Sequence, residues 1–265
     1  TGQGVLPMMW ICVAILLLCV RAGGCSEKVN MSNLIQYTAA DFYEKLHSGK
    51  LMFIYFEQQV SPTISLFLVE LEKSAETLQD YSVLVGKVNC NKELVHTYCT
   101  DERALHTAFL FRGGKEFLNF DLDTVFDVNS IVSEVLFAIL RDEVKYVHTD
   151  ADLLAMEKAA RRKKDMVLGY VRSLGTQEHR SMMETAYVYG SKYQFILITG
   201  GPVLNVNESS HSSSVWFLHC RVHSGFMTSE RCPFTRMRKP LSTLSLHSFL
   251  QLMEAPLVVN RMTNM

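Results

Sequence analysis

The sequence lacks an excess of either charge: 26 lysines and arginines stand against 27 acids, a formal net of −1. Nucleic acid is thereby excluded as the main partner, because phosphate binding needs a basic surface. The one local exception, Arg161-Arg162-Lys163-Lys164, ends an expected helix, where cations complement the dipole. A localisation or anion-binding role is the other reading of that run. Long apolar runs are also missing. Residues 10–20, WICVAILLLCV, are too short for a comfortable membrane span. Proline is scarce, with none between Pro62 and Pro202. Cysteine and histidine never cluster at zinc spacing, and His219-Cys220-Arg221-Val222-His223 has no second cluster to complete it. No metal and no cofactor is therefore expected. The most telling absence lies in YFEQQVSPTIS, residues 55–65. It joins a strand-like run, LMFIYF, to a helix-like run, LFLVELEKSAETL, yet holds no cysteine, histidine or lysine.

What is present begins with a targeting segment. The apolar run is followed by Arg21-Ala22-Gly23-Gly24-Cys25-Ser26, small residues of the cleavage-site kind. Residues 1–25 read as an upstream stretch, TGQGVLP, plus a cleaved signal peptide starting at Met8 or Met9, with an uncleaved anchor as the alternative. A mature chain of this kind enters the secretory pathway, and endoplasmic reticulum lumen or secretion is expected, with no membrane association after cleavage. Disulfides persist there. Cys12, Cys19 and Cys25 belong to the removed region, leaving Cys90, Cys99, Cys220 and Cys232. Four cysteines in two local pairs suit two short-loop disulfides, and four free thiols are the alternative. Asn30-Met31-Ser32 and Asn207-Glu208-Ser209 are N-glycosylation acceptors.

Hydrophobic residues make up 48% of the chain, enough for packed cores, and two units of strand and helix follow one another. In the first, Thr38 with Asp41 opens a helix to His47. Leu51–Phe56 is a strand. Pro62 starts a helix whose apolar side is Leu66, Val69, Leu71 and Leu78. Ser82–Val88 is a strand and Lys92–Tyr98 a short helix. Ala108–Phe111 and Glu116–Phe120 form a hairpin about Arg112-Gly113-Gly114-Lys115, and Val128–Leu140 closes the unit. The second has strands at Lys145–Val147, Met166–Val171, Gln194–Ile198 and Val215–Cys220. Its helices start at Thr149 and span Gln177–Tyr189 and Ser242–Met253. Residues 200–214 form a polar insert, and Arg221–Leu241 has no clear pattern. The alternation implies right-handed crossovers onto a mixed sheet. The units are 33–143 and 144–258, and 259–265 is the tail of a chain expected to be a fragment of a longer one.

The runs VGKVNC at 85–90, AFLFRGGK at 108–115, and LSTL with APLV at 241–258 resemble a thioredoxin fold of the protein disulfide isomerase type. The runs DTVFDVNSIVSEVLFAILRDEVKY and METAYVYGSKYQFIL carry a narrower likeness inside that group. The resemblance implies an α/β architecture of two tandem thioredoxin-like domains, each a central mixed sheet flanked by helices. It also locates the degenerate active site. Val60, Ser61, Pro62 and Thr63 fall on the reactive Cys-x-x-Cys, Gln59 on the family tryptophan, Ile54 on the buried acid and His106 on the cis-proline. Without either sulfur, neither the disulfide nor a mixed disulfide forms at that junction. A non-proline at 106 implies a trans peptide there. Cys90 and Cys99 fall where similar domains hold a structural disulfide, which stabilises by about 2–3 kcal/mol in the chain-entropy model.

The reading that follows is a redox-inactive binding or scaffolding module for a protein partner or client polypeptide, not an enzyme. Its apolar patch is expected around Val60, Ile64, Phe67 and His106, unless Ile64 and Phe67 are core. The alternative is a thiol-disulfide oxidoreductase acting through Cys90–Cys99 or through further domains. A lectin-like or spacer role and His106 as a general base are further options; the latter lacks a nucleophile or orienting acid nearby in sequence.

Overall fold

Leu51–Glu57 forms strand β2, and every residue from Met52 to Glu57 is buried. A strand covered on both faces needs an unbroken apolar run, as this one has. In the computed structural model, which describes residues 34–200, 213–221 and 231–254, β2 lies at the centre of the first of two five-stranded sheets. The signal-like segment, Asn30, Asn207, most of the 200–214 insert, His223 and the 259–265 tail lie outside the described residues. The first sheet has the order β1-β3-β2-β4-β5, from β1 (Ile35–Tyr37), β3 (Val83–Asn89), β4 (Thr107–Arg112) and β5 (Lys115–Asp121). β1 and β2 run parallel to β3, while β4 is antiparallel to both β2 and β5.

Helices cover both faces. On one, α1 (Ala39–His47) and the single turn α3 (His96–Cys99) close a core of Phe42, Met52, Ile54, Phe56, Phe109 and Phe111. On the other, α2 (Pro62–Gln79) and α4 (Val128–Ile139) pack on Phe53, Tyr55, Val85 and Leu110. The α1 cap is as expected: Thr38 Oγ1 accepts from the Asp41 amide and donates to its carboxylate. The Gly113-Gly114 turn has φ of 62° and 83°, the left-handed backbone that a two-residue hairpin requires.

The second sheet has the order β10-β9-β7-β8-β6. Its strands are β6 (Val144–Tyr146), β7 (Met166–Tyr170), β8 (Gln194–Ile198), β9 (Ser214–Leu218) and β10 (Phe234–Arg236), and its helices α5 (Asp150–Ala160), α6 (Gln177–Tyr189) and α7 (Thr243–Glu254). Thr149 caps α5 as Thr38 caps α1. The basic run turns off α5 onto the domain: Arg162 N–H donates to the Cys220 carbonyl, and Lys164 Nζ donates to the Gly190 carbonyl that ends α6. The two sheets share one apolar cluster, in which Val132, Val135 and Leu136 join Met182, Met183 and Ala186.

Several expectations need correcting. Leu66 and Val69 are 71% and 48% exposed, and the inward face of α2 is Ile64, Phe67, Leu71, Ser74 and Leu78. Packing of α2 against the sheet sets that face, and a buried serine, Ser74, hides it in the sequence, its hydroxyl donating to the Glu70 carbonyl. Lys92–Val95 is not helical. Asn89 Oδ1 accepts from the Asn91 amide, a local turn that competes with a helix start. Strands β1 and β10, three residues each, had no readable alternation. β1 pairs so closely that a Cβ at Gly86 would stand 2.5 Å from the Ile35 carbonyl oxygen, so glycine is required there.

Candidate functional site

Val60–Thr63 sits where β2 hands over to α2. Ser61 is the N-cap, its side chain accepting from the Ile64 amide at 3.2 Å, and Pro62 occupies the first turn. Gln58 holds the loop from below: its Nε2 donates to the carbonyls of Tyr98 and Asp101, each at 3.0 Å. Asn91 Nδ2 donates to the Gln58 carbonyl. Every anchoring group is neutral, and the four junction residues offer an isopropyl group, two hydroxyls and a pyrrolidine ring. Val60 is 79% exposed. Replacing Ser61 with Ala is expected to lower stability by about 1 kcal/mol through loss of the cap, read from the urea midpoint. An unchanged midpoint would mean that Pro62 alone sets the helix start.

His106 lies on the connection before β4 and is exposed, with all described peptides trans. Its imidazole has no hydrogen-bond or ion-pair partner among the described residues, so nothing orients it as a base. Tyr55 fixes this connection, its hydroxyl donating to the Leu105 carbonyl at 3.1 Å. Burial, and next the Glu57 carboxylate, push the Tyr55 phenol up to about 12, so it stays protonated. Of the expected patch, Val60 and His106 reach the surface. Ile64 and Phe67 are 5% and 4% exposed and belong to the core.

Beneath the junction lies a pair the sequence reading passed over. Glu57 at the end of β2 and Lys87 on β3 form a 2.9 Å ion pair, with side-chain exposures of 8% and 16%. Parallel pairing of Tyr55 with Lys87 and of Glu57 with Asn89 brings both side chains to one face. Pairing in the sheet, not sequence spacing, creates the contact.

Cys90 and Cys99 are disulfide-bonded across a Cα–Cα distance of 5.2 Å. The Cys90 amide donates to the Glu57 carbonyl, and the bond closes a loop with structural duties. Within it, Glu93 accepts from the Ala39 amide at the start of α1, and Tyr98 stacks on Phe56 at 4.5 Å. Cys220 and Cys232 form the second disulfide, Cα–Cα 5.1 Å, and both are buried. His219 shares a 2.9 Å hydrogen bond with Thr235 Oγ1. Its neighbouring sulfur is thus engaged in a disulfide, and no group of three or more His, Cys, Asp or Glu suited to a metal occurs among the described residues.

The second sheet has a corresponding junction, also missed from sequence, between β7 and α6. Thr176 caps α6 by accepting from the His179 amide, and Ser173-Leu174-Gly175 precedes it without a thiol. One turn on, His179 is fully buried, its Nδ1 accepting from the Gly175 amide at 3.0 Å and its Nε2 unpartnered. Burial pushes its pKa down to about 4. Glu134 on α4 stands 3.8 Å away, and burial raises its carboxyl above the usual range.

Two thioredoxin-like sheets in tandem define a thioredoxin-fold protein. A crystal structure of ERdj5 agrees in fold: TM-score 0.51 and 13% identity, over 91% of this chain and 32% of that one. More narrowly, the models "TXNDC16 N-terminal" and "TXNDC16 second thioredoxin-like domain" match residues 32–136 and 137–256. Human thioredoxin domain-containing protein 16 is 40% identical over 230 residues, 86% of this chain. The chain belongs to the thioredoxin domain-containing protein 16 family. It spans 28% of the length of that human relative. No helix among the described residues is long and apolar enough to cross a membrane.

Proposed function

We propose that this chain is a redox-inactive binding or scaffolding module of the secretory pathway, engaging a protein partner or an unfolded client in the endoplasmic reticulum lumen or after secretion. The observation that carries this reading is the composition of the two strand–helix junctions. Neither has a thiol where the fold would place one at a helix N-terminus, the position that lowers a cysteine pKa and makes it reactive. Cys90–Cys99 supports the reading too, because its loop holds the α1 cap and the Tyr98 stack in place. The signal-like segment, the two disulfides and the acceptors at Asn30 and Asn207 favour the secretory compartment. Domain limits of 33–143 and 144–258 are part of the proposal.

The test pairs two assays on the chain and on its Cys90→Ser/Cys99→Ser variant. Reductive turnover of insulin disulfides is expected to stay at the uncatalysed rate in both. Capture of reduced, carboxymethylated α-lactalbumin, which has no free thiol, is expected in both. The variant is expected to be less stable by about 2–3 kcal/mol, so capture is measured well below its unfolding temperature. Turnover by the parent that disappears in the variant would overturn the proposal in favour of an oxidoreductase.

A further inference from the structure

β5 is an edge of its sheet, pairing only with β4, and β6 is an edge of the other, pairing only with β8. Between them runs a groove of about 350 Å³, lined chiefly by Leu118 and Phe120 of β5, Phe137 of α4, and Val144 and Tyr146 of β6, with Glu134 and Arg141 among its polar members. Its lining is mainly apolar and its volume suits a few side chains. Beyond the pairing with β4, no backbone hydrogen bond reaches residues 115–120 of β5 among the described residues, so its outer edge is free to accept a strand. Leu118 is 36% exposed.

Charge at one end points to the occupant. The guanidinium groups of Arg112 and Arg141 lie 5.5 and 5.9 Å from the centroid of the Phe117 ring. Neither has a carboxylate partner among the described residues, and both are exposed. Lys115 and Lys145 add positive charge nearby, Lys145 being 3.9 Å from Asp142. Edge strands that only guard against aggregation carry charges and bulges along their length. β5 carries one such bulge, with Phe117 as the extra residue between Glu116, opposite Phe111, and Leu118, opposite Leu110; beyond it Leu118 and Phe120 keep regular pairing and line the groove.

We infer that the β5–β6 groove binds an extended polypeptide segment by strand addition to β5, with alternate apolar side chains in the groove and an acidic residue at the Arg112–Arg141 end. Main-chain bonds would give affinity and the alternating pockets specificity. Two unpaired guanidiniums would select a carboxylate, bidentate pairing being their favoured mode. Glu134, lining the groove, would disfavour an acid placed near it. This inference deepens the binding reading above and rests on it.

The experiment uses a fluorescein-labelled peptide of two aspartates followed by six alternating valines and threonines, read by anisotropy at low salt. Partners are the same peptide with lysines for aspartates and a version N-methylated at alternate amides. The acidic peptide is expected to bind at least tenfold more tightly than the lysine peptide, and the N-methylated one to lose binding. Arg112→Glu and Arg141→Glu, both at exposed positions, are expected to reverse the charge preference. Leu118→Asp is expected to weaken both charged peptides at least tenfold. Equal binding of the acidic and lysine peptides, or charge reversals without effect, would overturn the inference, even if Leu118→Asp fails to fold. Capture of carboxymethylated α-lactalbumin that the acidic peptide does not compete for would sink the groove and leave the binding module standing. Absence of any capture would remove both.

Discussion

Replacing Lys87 with Met is expected to destabilise the chain by about 3–5 kcal/mol, because it strands the Glu57 carboxylate in the interior. The pair spans 2.9 Å, and Glu57 is the more deeply buried partner, at 8% side-chain exposure. Its neighbour on the same face of β2, Tyr55, is 1% exposed and carries no cation to compensate it. The double substitution Glu57→Leu/Lys87→Met removes both charges and is expected to recover most of the loss. A buried pair swapped for apolar residues of similar volume is often close to neutral. A double-mutant cycle from urea unfolding reads the coupling directly, because the two residues touch and are not additive. A single-variant loss below about 1 kcal/mol, the range of an exposed pair, would mean that water reaches Glu57 and that the charge is not truly interior. The cycle also separates scaffold from site. Capture of carboxymethylated α-lactalbumin is expected to follow only the folded fraction in these variants, since the pair lies beneath the junction and away from the β5–β6 groove.

That pair illustrates what the sequence made legible and what it hid. Features set by neighbours along the chain were readable: the Thr38 and Thr149 caps, Pro62 at a helix start, the Gly113-Gly114 turn, the buried run of β2. Each depends on backbone geometry within a few residues. Features set by pairing between distant strands were not. Glu57 meets Lys87 because β2 and β3 run parallel in one register, and no spacing along the chain encodes that register. The expected apolar patch failed for a related reason. Ile64 and Leu66 are equally apolar in sequence, and only the phase of α2 against the sheet decides that Ile64 turns inward while Leu66 stays 71% exposed. Four cysteines in two local pairs could be read as two bonds, and the structure forms both. The second junction, Ser173–Thr176, escaped notice because nothing reactive marks it. It is recognisable only once β7 is seen to occupy the central place that β2 occupies in the first sheet.

Lowering the pH from 6.5 towards 4 is expected to destabilise the chain through His179, by as much as about 3 kcal/mol. The native imidazole is held down to about 4 by burial, whereas an unfolded histidine titrates near 6.5. Between those values the unfolded chain takes up a proton that the folded chain refuses, so acid favours unfolding. The contribution is whole above pH 6.5 and lost progressively as the pH falls towards 4. Glu134 acts in the opposite sense. Its carboxyl is raised by burial, so its contribution is present in acid and lost as pH rises above the ordinary glutamate value. The net slope is therefore shallower than His179 alone would give. Urea unfolding between pH 7 and 4.5 of the chain and of His179→Asn isolates the histidine. Asparagine leaves an oxygen able to accept from the Gly175 amide, as Nδ1 does at 3.0 Å, and it does not titrate. The two stability curves are expected to converge by about 2–3 kcal/mol across that range. Parallel curves would show that His179 is protonated in the folded chain or hydrated at Nε2. Because His179 on α6 faces Glu134 and Phe137 on α4, the loss would fall on the helix pair that joins the two sheets. Chemical-shift or hydrogen-exchange changes in acid should therefore start at α4 and α6, before they reach β2.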